Sequence, residues 1–488
     1  MSNVSNPTHT PAGEAMRISL YLPAQAAAET EVTIITWRVA EGERFESGQV
    51  LAEVDSAKSV FDFEAPCHGT VTRLLHPAGE PFELSEPVLE IETTDESMRD
   101  WIPPASARDE SLPDASRAGE SASDESDGVS AAAWPEAPAA GQPAVAVGLR
   151  AVAGYLPERI VTNEELAERF PEVDADYIRQ VTGMHTRHWA REDESPLDMA
   201  VKVARSALER SGLPVEAVGA LIVATATPQW AMPSTACALQ AELGLAGRPA
   251  FDLNAACSGW LYALEVAKGM ILGGTARHVL IVGAERHSGL LDPTDSSTLF
   301  LFGDGAGAAI VSALDESGTS TDGSAAEGDH HRDHGIRDVL LWADGSGKDL
   351  ARRTQPGYLV PEAMQAGLPD LPPLDPWIRL QGSALFRRAT EAFTDLIRES
   401  LRRSGWQADE LRWVIPHQAN GRILRAAAKR SGVDPDRFFI NLDHVGNTSS
   451  ASIPLALVEV ESQLQPGDKL LLCSVGAGLT GAAVALEW

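Results

Sequence analysis

The order of hydrophobic and polar residues divides the 488-residue chain into three zones of different character. In residues 16–93, short runs of alternating and β-branched residues are separated by turn residues, and no segment has the spacing of an amphipathic helix. This pattern predicts a small all-β module. Its clearest strands are predicted over Met16–Leu22, Glu31–Val39, Gln49–Val54 and Gly69–Leu75.

Residues 147–488 alternate helical and strand patterns, which is typical of an α/β domain. Amphipathic helices are predicted over Ser195–Ser211 and Leu385–Ser404. Buried strands are predicted over Ala220–Thr225, Val279–Val282, Gly307–Val311, Leu411–Ile415 and Lys469–Ser474. The Ser-, Gly-, Asp- and His-rich stretch Asp315–Asp333 is predicted to be a surface loop between two halves, about 147–314 and 336–488.

Residues 94–146 have a different composition, dominated by Ser, Ala, Pro, Gly and acidic residues. They contain 11 acidic and 3 basic side chains. Such a stretch buries too little apolar surface to offset its ordering entropy, so it is predicted to be a flexible linker. A coil of about 50 residues has a root-mean-square reach of about 40 Å, enough for one module to visit a site on the other.

Charge and cysteine content exclude several classes of function. With 70 acidic and 39 basic residues the formal net charge is −31, which argues against nucleic acid or an anionic membrane as partner. No apolar run reaches the roughly 18–20 residues of a membrane-spanning helix, and residues 1–17 lack a secretory signal pattern. The four cysteines are far apart and fit a reducing compartment. We therefore expect a soluble, cytoplasmic, multidomain protein.

In the all-β module, Lys58 lies between two β runs in the sequence Asp-Ser-Ala-Lys-Ser. Gly42 lies 16 residues before it and Gly69 lies 11 residues after it. With this spacing, residues 16–93 resemble the lipoyl domain family, a small β barrel or sandwich. The flanking residues Ala57 and Ser59 favour lipoate over biotin, because biotin carriers flank their lysine with methionines. The resemblance implies a lipoyl group on Lys58; the alternatives are an ordinary solvated turn lysine or an unmodified module.

In the α/β zone, three short patterns carry chemistry. Cys257 follows a predicted strand and opens a helix, whose N-terminal dipole is expected to stabilise the thiolate. His417 follows another predicted strand, in Pro-His-Gln-Ala-Asn, and Asn447 lies at the entry of a further helix. Each pattern is weak alone, since a lone cysteine is more often inert and a lone loop His or Asn is usually structural.

Taken together, these patterns resemble β-ketoacyl-acyl-carrier-protein synthase III of the thiolase-fold superfamily, from about residue 147 to the end. Further matching runs are Thr182-Gly183, Pro233–Ala236, Asp292–Asp295, Phe302–Gly307 and Gly476–Thr480. The resemblance implies αβαβα layers built from two duplicated halves, a homodimer and an acyl carrier protein as partner. It also implies that Cys257 takes the acyl group and that His417 and Asn447 hold the thioester carbonyl of a malonyl extender. The oxyanion is expected on the N–H groups of Cys257 and of the Gly476–Gly478 loop.

The sequence departs from this family at residues that usually bind acyl-CoA. The adenine clamp, a Trp and an Arg, is replaced by Tyr177 and Val181, and the Arg after Asp-Pro-Thr-Asp is Ser296. Arg422 and Arg387, at positions that usually receive acyl carrier protein, are retained. We therefore expect a lost CoA site and a retained carrier-protein site.

Other residues receive simpler interpretations. Trp230, Met232 and Trp260 are predicted to line the acyl pocket, together with Leu479, which replaces an aromatic residue common in relatives. No metal site is predicted, because the histidines of Asp329–His334 lie in an acidic loop of low complexity. Cys237 and Cys473 are predicted to be core residues.

The fusion of the two modules yields a hypothesis about function. An acyl group made by a thiamine-dependent 2-oxo acid decarboxylase and carried on lipoate at Lys58 could be offered directly to Cys257. Cys257 would then condense it with a malonyl thioester, most plausibly on acyl carrier protein. Two alternatives stay open: a transacylase that forms no carbon–carbon bond, and a front module that only docks a partner and is never lipoylated.

Overall fold

The structure, a computed structural model of the whole chain, divides into two compact units, residues 1–132 and 133–488. It describes residues 16–22, 31–56, 60–79, 81–83, 86–95, 98, 146–170, 173–314, 334–353 and 375–488. The predicted linker over 94–146 falls almost entirely outside these residues, and the predicted loop over 315–333 falls wholly outside them. Both stay predictions.

The first unit is built from strands alone within the described residues, as predicted. Its strands are β1 (Met16–Leu20), β2 (Glu31–Trp37), β3 (Arg44–Phe45), β4 (Val50–Ser56), β5 (Val60–Glu64), β6 (Gly69–Leu74), β7 (Pro81–Glu83) and β8 (Leu89–Thr93). They form two antiparallel four-stranded sheets, in the orders β1-β8-β6-β3 and β5-β4-β2-β7. The fully buried Leu20 and Ile91 of the first sheet and Ile34 and Val54 of the second belong to one hydrophobic core.

Strands β4 and β5 form the hairpin on which the sequence places Lys58. Their backbones pair in antiparallel register, with Asp55 opposite Val60. Residues 57–59, which include the lysine itself, lie outside the described residues. The described strands end and begin on either side of these residues, and the display of Lys58 at a turn stays a prediction.

The two glycines that frame the hairpin are both required by the backbone. Gly42 has φ +86°, in the left-handed region that glycine favours. Gly69 lies against Phe45, where an added Cβ would come within 2.9 Å of the ring. Their spacing from Lys58 therefore reflects the folding of this module.

The second unit contains a nine-stranded sheet. The strands of this unit, including those of the large sheet, are β9 (Ala146–Tyr155), β10 (Arg159–Thr162), β11 (Thr186–Trp189), β12 (Ala220–Ala224), β13 (Ala250–Leu253), β14 (His278–Arg286), β15 (Asp304–Leu314), β16 (His334–Ala343), β17 (Ala351–Arg352), β18 (Arg379–Leu380), β19 (Leu411–Pro416), β20 (Lys469–Gly476) and β21 (Thr480–Glu487). The large sheet has the order β13-β12-β14-β15-β9-β16-β21-β20-β19. Strands from before residue 315 occupy one end and strands from after it the other, as the predicted halves require.

Helices pack on both faces of these strands. They are α1 (Asn163–Ala167), α2 (Ala175–Thr182), α3 (Pro196–Ser211), α4 (Thr235–Glu242), α5 (Gly259–Leu272), α6 (Ser296–Leu299), α7 (Gly382–Ser404), α8 (Gly421–Ser431), α9 (Leu442–Val445) and α10 (Ser452–Val460). Helix α3 covers the outer face of the first-half strands and α7 covers that of the second-half strands. Helices α5 and α10 share one core with strands from both halves. This arrangement is the predicted αβαβα layering.

The strand pattern follows from this layering. In β12, Ile222 faces the α5 core while Leu221 and Val223 face the α3 core, so both faces of the strand are apolar. Helix α3 begins where Ser195 and Asp198 form a capping box and ends at Gly212 with φ +67°. Within the described ranges, no helix is long and apolar enough to span a bilayer.

Candidate active site

Cys257 lies in a strained turn between β13 and α5. The preceding residue, Ala256, has φ +46°, a conformation that costs a non-glycine residue about 1 kcal/mol or more. Two hydroxyls of the second half hold the turn in place: Thr480 donates to the Ala255 carbonyl at 2.8 Å and Ser474 donates to the Cys257 carbonyl at 3.0 Å. The turn is therefore built from both halves of the unit.

The thiol of Cys257 is half-buried and contacts Ser449. The Ser449 hydroxyl lies 3.4 Å from Sγ, within hydrogen-bonding distance for sulfur. Burial, reinforced by the nearby Glu285 carboxylate, raises the pKa of Cys257 to about 11, and the Ser449 hydrogen bond opposes the rise. Desolvation acts against a thiolate here, and the predicted contribution of the helix dipole stays a prediction.

His417 is almost fully buried directly after β19. The Ser452 hydroxyl lies 2.7 Å from its Nδ1, and that oxygen also accepts the Gln418 N–H at 3.4 Å. The Ser452 proton is available for donation to Nδ1, and in that tautomer the imidazole proton lies on Nε2. Nε2 has no hydrogen-bond partner in the described parts of the chain.

The charge state of His417 follows from its burial. Desolvation, together with the neighbouring His287, lowers the pKa of His417 to about 3. The imidazole is therefore neutral at physiological pH. It presents a buried N–H with nothing else to bind, which suits it to donate to a substrate oxygen.

Asn447 is buried on the opposite side of the same region. Its Nδ2 donates to the Ala419 carbonyl at 3.2 Å, and its Oδ1 accepts the Ser449 N–H at 2.9 Å. Its backbone N–H donates to the Leu301 carbonyl at 3.1 Å, and its carbonyl accepts from the Gly303 N–H at 2.9 Å. Both the orientation of the side chain and its backbone are thus fixed, with one Nδ2 hydrogen remaining.

The segment 447–452 brings the three predicted residues together. It contains Asn447 itself, Ser449 contacts the Cys257 thiol, and Ser452 contacts His417. Like Ala256, Ser449 is a non-glycine residue with positive φ, +51°. Three positions that are 160 and 30 residues apart in sequence are thereby assembled around one short segment.

Of the predicted oxyanion glycines, Gly476 lies against the Cys257 turn. An added Cβ on Gly476 would come within 2.8 Å of the Cys257 nitrogen and 3.0 Å of the Ser258 nitrogen. The missing side chain therefore leaves space in front of these two amides. Gly478 has φ +135°, which is open to glycine but strongly disfavoured for other residues.

Glu285, which sequence reasoning missed, is fully buried beneath Cys257 and Ser449 at the end of β14. Its carboxylate accepts the Ala226 N–H at 3.1 and 3.2 Å. It also accepts hydroxyl hydrogen bonds from Thr225 at 3.3 Å, Thr227 at 2.8 Å, Ser449 at 3.3 Å and Ser450 at 2.8 Å. The available sequence signal was a glutamate near the end of an otherwise apolar strand. A carboxylate buried there requires hydrogen-bond donors around it.

The four residues predicted to line the acyl pocket differ in exposure, and their role in a pocket stays a prediction. Trp230 and Met232 are 46% and 87% exposed on this chain, whereas Trp260 and Leu479 are each 1% exposed. Trp260 packs in the core around α5 and α10, and Leu479 packs in the core under α7.

The predicted carrier-docking arginines lie on neighbouring helices. Arg387 is exposed on α7, and Arg422 lies in the first turn of α8, which packs against α7. The Arg422 guanidinium lies 5.9 Å from the centre of the Phe386 ring, so it is close to the residue that precedes Arg387.

The sequence predicts that CoA-binding contacts are lost at three positions. None of these positions carries a cationic side chain. Tyr177 and Val181 lie half-buried on α2, and Ser296 begins α6. Arg379 lies close to the start of α6 but is engaged by three carboxylates: Asp292 at 2.9 Å, Asp295 at 3.5 Å and Asp375 at 2.7 Å.

The remaining sequence predictions have mixed outcomes. Cys473 is buried, as predicted, but Cys237 is exposed, so its assignment to the core is wrong. His330 and His331 lie outside the described residues, and His334 begins β16. Among the residues that the structure describes, no three His, Cys, Asp or Glu side chains are grouped so as to hold a metal ion.

Three family models match the chain. Residues 19–91 match "Biotin-requiring enzyme", the biotin and lipoyl module. Residues 251–329 match "3-Oxoacyl-[acyl-carrier-protein (ACP)] synthase III", and residues 401–488 match the C-terminal model of the same name. The predicted resemblances of both modules are confirmed.

Curated proteins and solved structures extend the match over the second unit. The chain is 38% identical over 342 residues to the beta-ketoacyl-[acyl-carrier-protein] synthase III of Rhodobacter capsulatus, covering 70% of this chain and 98% of that protein. It is 42% identical over 329 residues to that of Rhodospirillum rubrum, covering 67% and 94%. The crystal structure of the synthase III from Pseudomonas aeruginosa PAO1 aligns with a TM-score of 0.61 and 37% identity, covering 70% and 98%. A priming β-ketosynthase of the R1128 polyketide pathway aligns with a TM-score of 0.61 and 31% identity, covering 70% and 96%.

Proposed function

Because the chain belongs to the β-ketoacyl-[acyl-carrier-protein] synthase III family, we propose that it acylates Cys257 and condenses that acyl group decarboxylatively with a malonyl thioester on acyl carrier protein. The observation that carries this proposal is the convergence of Cys257, His417 and Asn447 on segment 447–452. A thiol and two donors around one position are the groups that this reaction needs.

Each step has a residue to perform it. The Cys257 sulfur attacks the carbonyl of the acyl donor, and the donor thiol leaves with the proton. The malonyl thioester then binds with its carbonyl oxygen between His417 Nε2–H and the remaining hydrogen of Asn447 Nδ2. As carbon dioxide leaves, these donors stabilise the enolate. The carbanion attacks the acyl carbon, and the Cys257 thiolate is expelled.

The electrostatics of the site favour these roles for His417. With a pKa of about 3 the imidazole is a poor proton acceptor at neutral pH, and the neutral ring with its proton on Nε2 is a hydrogen-bond donor. A neutral donor stabilises an enolate without having to be charged first. The oxyanion formed on the acyl carbon would be received by the N–H groups of Cys257 and Gly478 in front of the bare Gly476 Cα.

The front module supports a carrier role for Lys58. The antiparallel hairpin β4–β5 is closed by the short segment that contains Lys58, which fits a lysine displayed for covalent modification. A lipoyl group there would supply a carrier thiol for an acyl group, and the preceding enzyme would then be a thiamine-dependent 2-oxo acid decarboxylase. Tethering would give an effective concentration on the order of millimolar at Cys257. The altered positions Tyr177, Val181 and Ser296 agree with a donor other than CoA.

Protein partners follow from two surfaces. Arg387 and Arg422 on the adjacent helices α7 and α8 offer positive charge to an acidic carrier protein, on a chain whose net charge is −31. The exposed Trp230 and Met232 give an apolar surface that a second copy would cover in a homodimer. We place the enzyme in the cytoplasm, with its substrates.

Carbon dioxide release separates condensation from simple acyl transfer. The full chain, with Cys257 first acylated, is expected to release carbon dioxide from malonyl-acyl carrier protein and to form a β-ketoacyl product. Asn447→Ala and His417→Ala are expected to keep acylation and to lose release by about 100-fold or more, because the enolate loses a donor. An acyl-enzyme that passes its group onward without carbon dioxide release would instead establish a transacylase.

The intact mass of the protein tests whether Lys58 carries a lipoyl group. Protein from cells competent in lipoylation is expected to carry one lipoyl group that Lys58→Ala lacks. A biotinyl mass would change the cofactor, and an unmodified Lys58 would reduce the front module to docking. Tethered delivery has its own test: Lys58→Ala protein mixed with Cys257→Ala protein should form the product slowly and in proportion to concentration, whereas the intact chain should be independent of dilution.

A further inference from the structure

We propose that Ser449 and Glu285 form a proton relay for Cys257, in which Ser449 passes the thiol proton to the buried carboxylate during acylation. This inference rests on the acyl-acceptor role proposed above for Cys257. It assigns a catalytic role to Ser449, which touches the reacting sulfur, and a proton-accepting role to Glu285. The relay is separate from the donors His417 and Asn447, which act on the extender.

The contacts of the Ser449 hydroxyl are those of a relay. It lies 3.4 Å from Cys257 Sγ and 3.3 Å from Glu285 Oε1, and it has a single proton to donate. When that proton points to the carboxylate, the oxygen lone pairs are open to the thiol S–H. When it points to the sulfur, it stabilises a thiolate. The two orientations correspond to the two protonation states of Cys257.

The Glu285 carboxylate is placed to exchange a proton with Ser449. Its contacts are one backbone N–H and four hydroxyls, and no lysine or arginine pairs with it among the contacts that the structure gives. Because hydrogen-bond donors stabilise the ionised carboxylate, Glu285 takes the proton only while the sulfur forms its new bond to carbon. Cys257 is the titratable group that its charge acts on. The other ionisable side chains nearby are His417 and His287, and His287 helps to lower the pKa of His417.

Charge conservation explains why the relay matters. A thiolate beside an ionised Glu285 would place two negative charges in one desolvated site, and this repulsion contributes to the raised pKa of Cys257. If the proton moves to Glu285, the site carries one negative charge before and after. His417 is a poor alternative acceptor, since its pKa is about 3 and its Nδ1 is taken by Ser452.

The backbone of Ser449 indicates that its position is imposed by the fold. Its φ of +51° is a strained conformation for serine, which glycine adopts freely. The Asn447 side chain fixes the Ser449 N–H at 2.9 Å. A strained residue held over the thiol is the pattern expected where positioning is needed.

Acylation through the relay exchanges the donor's carbon–sulfur bond for a bond to Cys257. The Cys257 S–H bond breaks and its proton joins Ser449 Oγ, while the Ser449 proton joins Glu285 Oε1. The sulfur forms a bond to the donor carbonyl carbon. When the tetrahedral adduct collapses, the carbon–sulfur bond of the donor breaks, and the leaving thiolate takes the proton back from Glu285 through Ser449.

The test is single-turnover acylation of the full chain by a short-chain acyl N-acetylcysteamine thioester, followed by intact mass from pH 6.5 to 9. Ser449→Gly removes the hydroxyl and relieves the strain. Ser450→Ala is the matched control, because the Ser450 hydroxyl lies 2.8 Å from the same Glu285 oxygen and 2.9 Å from the Ala224 carbonyl and has no hydrogen bond to the thiol among the described contacts. Glu285→Gln keeps an acceptor oxygen and cannot take the proton.

The relay predicts that the wild-type and Ser450→Ala rates change less than threefold over this pH range. Ser449→Gly and Glu285→Gln should be slowed about 100-fold at pH 7 and should rise about tenfold per pH unit, following the thiolate fraction. A wild-type rate that itself rises tenfold per unit would overturn the relay, even if a variant fails to fold. So would a folded Ser449→Gly protein with the wild-type profile. Absence of any acyl adduct on Cys257 would overturn the proposed function together with the relay.

Discussion

Replacing Gly476 by alanine tests the oxyanion site with a single added methyl group. The new Cβ would lie 2.8 Å from the Cys257 nitrogen, 3.0 Å from the Ser258 nitrogen and 3.0 Å from Thr480 Oγ1. Two of these three atoms belong to the backbone, so no side-chain rotation relieves the contact. The methyl would also stand directly in front of the Cys257 amide, one of the two that are proposed to receive the oxyanion.

The size of the effect follows from these contacts. Overpacking of this kind costs about 1–3 kcal/mol of unfolding free energy. Losing one oxyanion donor lowers the rate by about 10²–10³. We therefore expect G476A to unfold at lower urea concentration and to acylate Cys257 at least 100-fold more slowly, measured by intact mass after exposure to an acyl thioester.

Gly269→Ala is the matched control, since it lies on the same helix as the Cys257 turn and its added Cβ would meet nothing within 4 Å. In a helix interior that change should raise stability by up to about 1 kcal/mol and leave acylation unchanged. If folded G476A acylates at the wild-type rate, the oxyanion does not form in front of these amides and the assignment is wrong.

Three further outcomes are expected. The raised pKa of about 11 makes the thiolate fraction of Cys257 at pH 7.5 roughly 100-fold smaller than its ordinary pKa of 9.0 would give. Iodoacetamide should therefore label the exposed Cys237 before Cys257. Peptide mapping that finds equal labelling would contradict this. His417 has a folded pKa of about 3, below its unfolded 6.5, so the folded state is favoured above pH 6.5 and loses stability as the pH falls toward 3. Between pH 8 and 5 this amounts to about 2 kcal/mol, which urea titrations should show in the wild type and not in H417Q; parallel curves would refute it. Ser452→Ala should lower carbon dioxide release about tenfold without changing acylation of Cys257, because the imidazole loses its orientation; equal losses in both assays would show that the variant disturbs the whole site.

The sequence predicted the order of layers well because most of the large elements are strongly patterned. Helix α3 was predicted to end at Ser211, where it does end, and the capping box explains its start. Strands β3 and β7 were missed, since two or three residues are too few to show a period of two.

The candidate site likewise contains residues that the sequence identified and a residue that it did not. Cys257, His417 and Asn447 each follow a strand or open a helix, and these positions can be identified by motif. Glu285 was missed because a lone glutamate at a strand end acquires meaning only when Ser449 and Ser450, some 165 residues later, are folded onto it. The different burial of Met232 and Trp260 could not be predicted from sequence, because burial is not a local property.

The sequence by itself determined the two modules, the layered α/β architecture, the lysine between two strands and the three residues that we propose for the condensing site. These follow from local periodicity, turn chemistry and short motifs, which act over a few residues. Only the tertiary structure decided the protonation of the site. The pKa of about 11 for Cys257 and of about 3 for His417 arise from desolvation and from neighbours distant in sequence, because the free energy of a buried charge depends on everything packed around it.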